Sequence, residues 1–167
     1  LSGWSLPELD RLRDQADKAA CPCLVLHDEE VLQLADPDVS VRQEAATRIE
    51  RLSIAANRLG CNSIAVRCGD HKDEAAIDHA TETLRAIMGT VERLELNLLI
   101  RPTPGFTSEP DGITDLVKRV GGFRIGILPT FSGENSPEEE IERLRRLAPY
   151  AGAMLFEISA YRGKSGH

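Results

Sequence analysis

The stretch ELNLLIRPTPGF, Glu95 to Phe106, reads as a buried strand that runs into a proline- and glycine-marked turn. Its apolar run is nearly continuous, which suits a strand covered on both faces. At the mouth of that strand stands a cation, Arg101. What lies on either side of it decides the fold.

Upstream and downstream the chain alternates. SLPELDRLRDQADKAA has Ser5 as a helix cap, Pro7 just inside and Glu8 three residues after the cap, with Leu6, Leu9, Leu12 and Ala16 on one face. CLVLH (Cys23 to His27) is an apolar run of strand length. DVSVRQEAATRIERLSIAANRLG is a long helix with Val41, Ala45, Ile49, Leu52, Ala56 and Leu59 inward, Ser40 as cap and Gly60 as stop. NSIAVRC is the next strand and ends at Gly69-Asp70. DEAAIDHATETLRAIM follows as a helix that turns Ala76, Ile77, Ala80, Leu84 and Ile87 inward.

Beyond the opening strand, SEPDGITDLVKRVGG is a short helix capped near Ser108. FRIGILPTF is a strand cut by Pro129, which cannot donate to a ladder. SPEEEIERLRRL has cap Ser136, Pro137 at the first helical position, acids in the first turn and arginines in the last. AGAMLFEISAY is the final strand. Strands alternating with helices at this spacing make a parallel α/β sheet with right-handed crossovers. Such strands form either an open doubly wound sheet or part of an eight-stranded barrel. A whole barrel takes about 250 residues, so length alone favours the open sheet. No glycine-rich phosphate loop opens a helix after the first strand, which leaves a flavodoxin-like sheet without support.

Composition narrows the function classes. The 167 residues are 41% apolar and 28% charged, and the formal net charge is −7. That balance argues against a nucleic-acid backbone as partner. No apolar run approaches the roughly 18 residues of a membrane span, and no signal peptide is visible behind Leu1. Cys21, Cys23, Cys61 and Cys68 lack the spacing of a zinc knuckle and read as reduced, small apolar residues, which fits a cytoplasmic protein.

Three segments together are similar to the xylose isomerase-like family of sugar isomerases and epimerases, which are TIM barrels. They are ERLSIAANRLGCNSIAVRCGD, then VERLELNLLIRPTPGF with ITDLVKRVGGFRIGILPTFSG, and YAGAMLFEISAY after Pro149-Tyr150. The resemblance implies an incomplete barrel of about five strands, roughly the third to the seventh of the family's order. Residues 1–167 are then one domain expected to lack the first and last barrel strands. A partial barrel leaves open sheet edges, to be covered by further residues or, second, by a homodimer.

Barrel chemistry sits at the carboxyl ends of the strands. Those ends carry His27 with Asp28, Asp70-His71, Arg101, Thr130 near Pro129, and Glu157 and Tyr161. The resemblance implies a divalent metal such as Mn or Mg, with carboxylates moving a proton beside a carbonyl of a small sugar or sugar acid. Yet Arg101 stands where the family has a metal-binding glutamate, and Pro129 where it has an aspartate. Arginine never ligates a metal, so the family's metal site is degenerate here and its ligands remain unassigned. Glu157, His71 and Asp70 are the expected proton-transfer groups, while Arg101, His27 and Tyr161 are the expected substrate contacts. Glu157 leads because it interrupts the apolar MLFEIS. Two readings of Arg101 stay open: an anion-binding group, or a rim ion pair with Glu109 or Asp70. Correspondingly, the protein is either an isomerase or a non-catalytic relative that binds an anionic small molecule.

Overall fold

A computed structural model describes residues 4–69, 71, 75–131 and 136–156. The helices are α1 (Leu6–Lys18), α2 (Val39–Leu59), α3 (Ala76–Arg93), α4 (Pro110–Val120) and α5 (Pro137–Leu147). The strands are β1 (Val25–Leu32), β2 (Ser63–Cys68), β3 (Asn97–Arg101), β4 (Ile125–Ile127), β5 (Thr130–Phe131) and β6 (Leu155–Phe156). β1 to β4 pair in parallel and in chain order. Pro129 splits the expected strand FRIGILPTF into β4 and β5, and the wall resumes beyond it. An Ile127–Ala151 bridge and the parallel β5–β6 pair lay the last segment beside this broken strand.

Strand order and burial together favour a barrel wall over a doubly wound sheet. One strand face, with Ile64, Val66, Cys68, Leu98, Ile100, Ile125 and Ile127, packs into a single core with residues from all five helices, including Leu9, Ile49, Leu84, Ile113 and Leu147. The opposite face, with Ala65, Leu99 and Leu128, packs with Val25, Ala153 and Leu155, all from strands or the segments that extend them. Helices on one side and strand side chains alone on the other are the two layers of a barrel and its lumen. Each fully buried Leu or Ile contributes about 1.5–3 kcal/mol, so the helix-facing layer supplies most of the stability. It leaves the lumen face free for function.

Local signals explain most boundaries. Glu8 accepts hydrogen bonds from Ser5 N–H and Oγ–H, both at 2.7 Å, at the start of α1. Ser136 accepts from Glu139 N–H, and the Glu139 carboxylate accepts from Ser136 N–H at 3.1 Å. Gly60 ends α2 at φ 79°. Two caps differ from the sequence reading. Asp38, rather than Ser40, caps α2 and accepts from Ser40 N–H at 2.8 Å, because an aspartate two residues earlier outcompetes the hydroxyl. Glu109, rather than Ser108, precedes α4, and Ser108 Oγ–H instead turns back to the Gly105 carbonyl at 2.8 Å. Cys61 and Cys68 are buried, and desolvation pushes their thiols up to about 11 and about 12. Cys21, expected as a small apolar residue, is exposed. Among the described residues no helix is long and apolar enough to cross a membrane.

The loop after β3 is tied down from below. Thr103 Oγ–H donates to the Cys68 carbonyl at 2.7 Å and lies 3.1 Å from Thr107 Oγ1, both threonines being buried. This places the Phe106 carbonyl against the first turn of α4, where a Cβ on Gly112 would lie 1.8 Å from its oxygen. Gly89, midway along α3, has open space around the same position. The two glycines therefore predict opposite outcomes. Gly89→Ala should raise stability by about 0.5–1 kcal/mol through helix propensity. Gly112→Ala should lower it by about 1–3 kcal/mol by overpacking. Urea midpoints of the two variants check the pair.

Candidate functional site

Side chains alternate across a strand, so every second residue of β2 and β3 faces the lumen. On β2 the lumen-facing set with Ala65 ends in Arg67; on β3 the set with Leu99 ends in Arg101. The parallel register pairs Arg67 directly with Arg101. Two guanidinium groups thus stand side by side at the carboxyl ends of adjacent strands.

Their counter-ion comes from an irregularity in β1. The expected strand stops at His27, yet pairing continues to Leu32. Between His27↔Ala65 and Val31↔Arg67, β1 spends three residues, Asp28 to Glu30, opposite the single Val66. This bulge splits three consecutive acids. Asp28 and Glu30 turn to α2, where Arg48 meets Asp28 through Nε at 2.7 Å and Nη2 at 3.0 Å, and Glu30 through Nη1 at 2.6 Å. Burial works to raise the Asp28 carboxyl, but the Arg48 bonds and the Glu30 N–H hold it below its usual range. Glu29, between them, aims at the lumen.

There the contacts converge. Arg101 Nη1 donates to Glu29 Oε2 at 3.2 Å and Oε1 at 3.4 Å, and its Nε donates to Thr130 Oγ1 at 3.3 Å. Arg67 Nη1 donates to the Glu29 carbonyl at 3.1 Å and lies 3.9 Å from Oε2. His27 Nδ1 is 3.2 Å from Glu29 Oε1, and its Nε2 is 3.4 Å from Arg101 Nη1. These partners assign the tautomer: Nδ1–H donates to Glu29, and Nε2 keeps a lone pair toward the guanidinium. Desolvation lowers the His27 pKa below its ordinary 6.5; Glu29 opposes that, and Arg101 and Arg67 reinforce it. At neutral pH the imidazole is uncharged and able to accept a proton.

The structure brings His27 and Arg101 together. Among the described residues the acidic partner of Arg101 is Glu29 rather than Glu109, which precedes α4; the other expected partner, Asp70, lies outside them. His71 joins a different set, with Nε2 3.0 Å from Gln33 Oε1 and 3.8 Å from Asp36 Oδ2. Asp70, Glu157 and Tyr161 lie outside the described residues. Glu29 and Arg67 were missed. Arg67 could have been found by extending the lumen-facing set Ser63, Ala65 by one step; Glu29 could not, since three acids read as the end of a strand.

A family model described as xylose isomerase-like TIM barrel matches residues 1–156. The chain belongs to that family. Among solved structures it is similar to a D-tagatose 3-epimerase-like protein, at 19% identity and TM-score 0.76, covering 95% of this chain and 64% of that one. It is also similar to 3-keto-D-glucoside 4-epimerase from E. coli, at 13% identity and TM-score 0.77, covering 97% and 69%. A third is a xylose isomerase-like TIM barrel protein from Mycobacterium smegmatis in complex with magnesium, at 15% identity and TM-score 0.70, covering 91% and 56%. At these identities the likeness establishes the fold. The chain spans just under two thirds of the first of these proteins. No curated protein matches the sequence.

Tested against a divalent cation such as magnesium, the described rim does not fit. Among the described residues no group of three or more His, Cys, Asp or Glu is placed to hold a metal ion. Two guanidiniums, which only donate hydrogen bonds and carry positive charge, stand at the strand ends instead.

The His27 environment makes a pH prediction. Its folded pKa lies below its unfolded value, so the unfolded chain binds more protons and stability falls as pH drops below about 6.5. A His27→Gln variant should lose part of that slope between the unfolded and folded pKa. Urea denaturation at a series of pH values, with an NMR titration of the imidazole, checks it.

Proposed function

We propose that this chain carries the substrate-facing wall of a sugar isomerase or epimerase-type enzyme, one that moves a proton beside the carbonyl of a small sugar or sugar acid. The observation behind this reading is the cluster of His27, Glu29, Arg67, Arg101 and Thr130 at the carboxyl ends of barrel strands. Removing a proton from carbon beside a carbonyl leaves negative charge on the carbonyl oxygen. A fixed guanidinium at that oxygen stabilises the charge through oriented N–H donors. Arg101, only 16% exposed and braced by Thr130, suits that task.

The neutral His27 Nε2 suits the base once substrate draws Arg101 Nη1 away from its lone pair, its other nitrogen being held by Glu29. It would take the proton from carbon; return of a proton to the neighbouring carbon gives isomerisation, and return to the opposite face of the same carbon gives epimerisation. Glu157, Asp70 and His71 remain the sequence-based candidates for that second transfer, and Tyr161 for a substrate contact. The partner in this reading is a small sugar or sugar acid; further residues or, second, another copy of the chain would cover the sheet edges. A non-catalytic relative that binds an anionic small molecule is the second reading, favoured by the arginine pair itself.

The test is solvent exchange. The full-length protein is incubated in deuterium oxide with a panel of ketohexoses and keto-sugar acids, and deuterium beside the carbonyl is followed by NMR. Exchange with at least one substrate is expected, and His27→Gln should slow it by about 10²–10⁴-fold. Absence of exchange across the panel would replace the enzyme with the binding protein.

A further inference from the structure

We infer that Arg67 and Arg101 form a carboxylate seat, filled in this structure by Glu29, which the carboxylate of a sugar acid takes over on binding. The inference rests on the reading of this rim as the sugar site and names the class of sugar it takes.

The seat already holds a group of the right kind. The Glu29 carboxylate reaches Arg101 Nη1 at 3.2 Å and lies 3.9 Å from Arg67 Nη1. Guanidinium forks match carboxylates geometrically, and paired donors strengthen the match. The tenant is weakly held. Its side chain is 71% exposed on a bulge, while Arg101 beneath it is 16% exposed and Arg67 28%. An ion pair that open shifts an equilibrium by only about one- to five-fold. A small ligand can therefore compete for its place.

The protein also leaves donor capacity unused. Arg67 Nε is buried without a hydrogen-bond partner, while Nη1 is spent on the Glu29 main chain. An unmatched buried donor is unfavourable, and two like charges on paired residues repel. A carboxylate placed between the two forks can replace Glu29 as counter-ion and take up the donor that Glu29 leaves unmatched. The apolar lumen floor of Ala65, Leu99 and Leu128 keeps the seat at the rim. The Thr130 hydroxyl and His27 imidazole beside Arg101 then face the hydroxyl-bearing carbons next to such a carboxylate.

The test compares aldonates with their alditols, which differ only in carrying a carboxylate or a hydroxymethyl at one end. D-gluconate, D-galactonate and D-mannonate are titrated into the full-length protein by calorimetry, beside D-glucitol, galactitol and D-mannitol, with inorganic phosphate as a further probe. At least one aldonate should bind tenfold or more tightly than its alditol. Glu29→Gln, which removes an exposed competitor, should tighten that aldonate about two- to five-fold relative to its alditol. Arg67→Gln should bring the aldonate down to the level of its alditol. Equal binding of aldonates and alditols would overturn the seat and leave the sugar site standing. Phosphate binding that Arg67→Gln abolishes, without aldonate binding, would overturn the sugar acid. Binding of none would overturn the seat and the sugar site together.

Discussion

The in-register parallel pairing of β2 with β3 places Arg67 beside Arg101, and the rest of the rim is arranged around that pair of like charges. Side by side in the mouth of a barrel, they need a counter-ion. Glu29 supplies it, but a regular strand would carry β1 past this point with its ladder intact. The bulge at Asp28 to Glu30 changes the count, and Arg48 on α2 holds the bulge by taking the acids on either side of Glu29. One helix residue, remote from the lumen, thus fixes which of three acids faces inward.

The scaffold and the site obey different rules. The scaffold is one strand face packed on five helices, where what counts is apolar area; many sequences satisfy it. This is why a chain only 13–19% identical to these two solved structures keeps their wall. The site depends on which residue ends each lumen-facing row. Exchanging a carboxylate for a guanidinium there costs the fold little and inverts the sign of the field. The described rim presents two guanidiniums, which donate hydrogen bonds and cannot ligate a metal ion.

The fold was legible because its signals are periodic. Helical faces such as Ala45, Ile49, Leu52, Ala56 and Leu59 repeat at three to four residues and are buried as expected. Pro129 was readable as an interruption because proline has no amide proton to give. The site was half legible. Arg101 and His27 stood out as polar residues at strand ends, where position alone suggests a role. Arg67 was hidden because its meaning depends on a neighbour thirty-four residues away in sequence, across a register no local pattern encodes. Glu29 was hidden because DEE reads as solvent-loving loop. Only a cation on the next helix makes it part of a strand, and that is tertiary information. The same limit applied to the start of α2, where two residues competed for one cap.

The bulge has a further consequence, at the outside of the sheet. β1 is the outer strand of the four described in order, and an outer strand ordinarily offers a straight row of amides and carbonyls to any passing strand. Here the row is kinked midway and studded with three acids, two of them turned back onto a helix. A second β1 brought alongside would meet a broken ladder and like charge. The irregularity that equips the lumen therefore also makes this flank a poor template for indiscriminate strand addition.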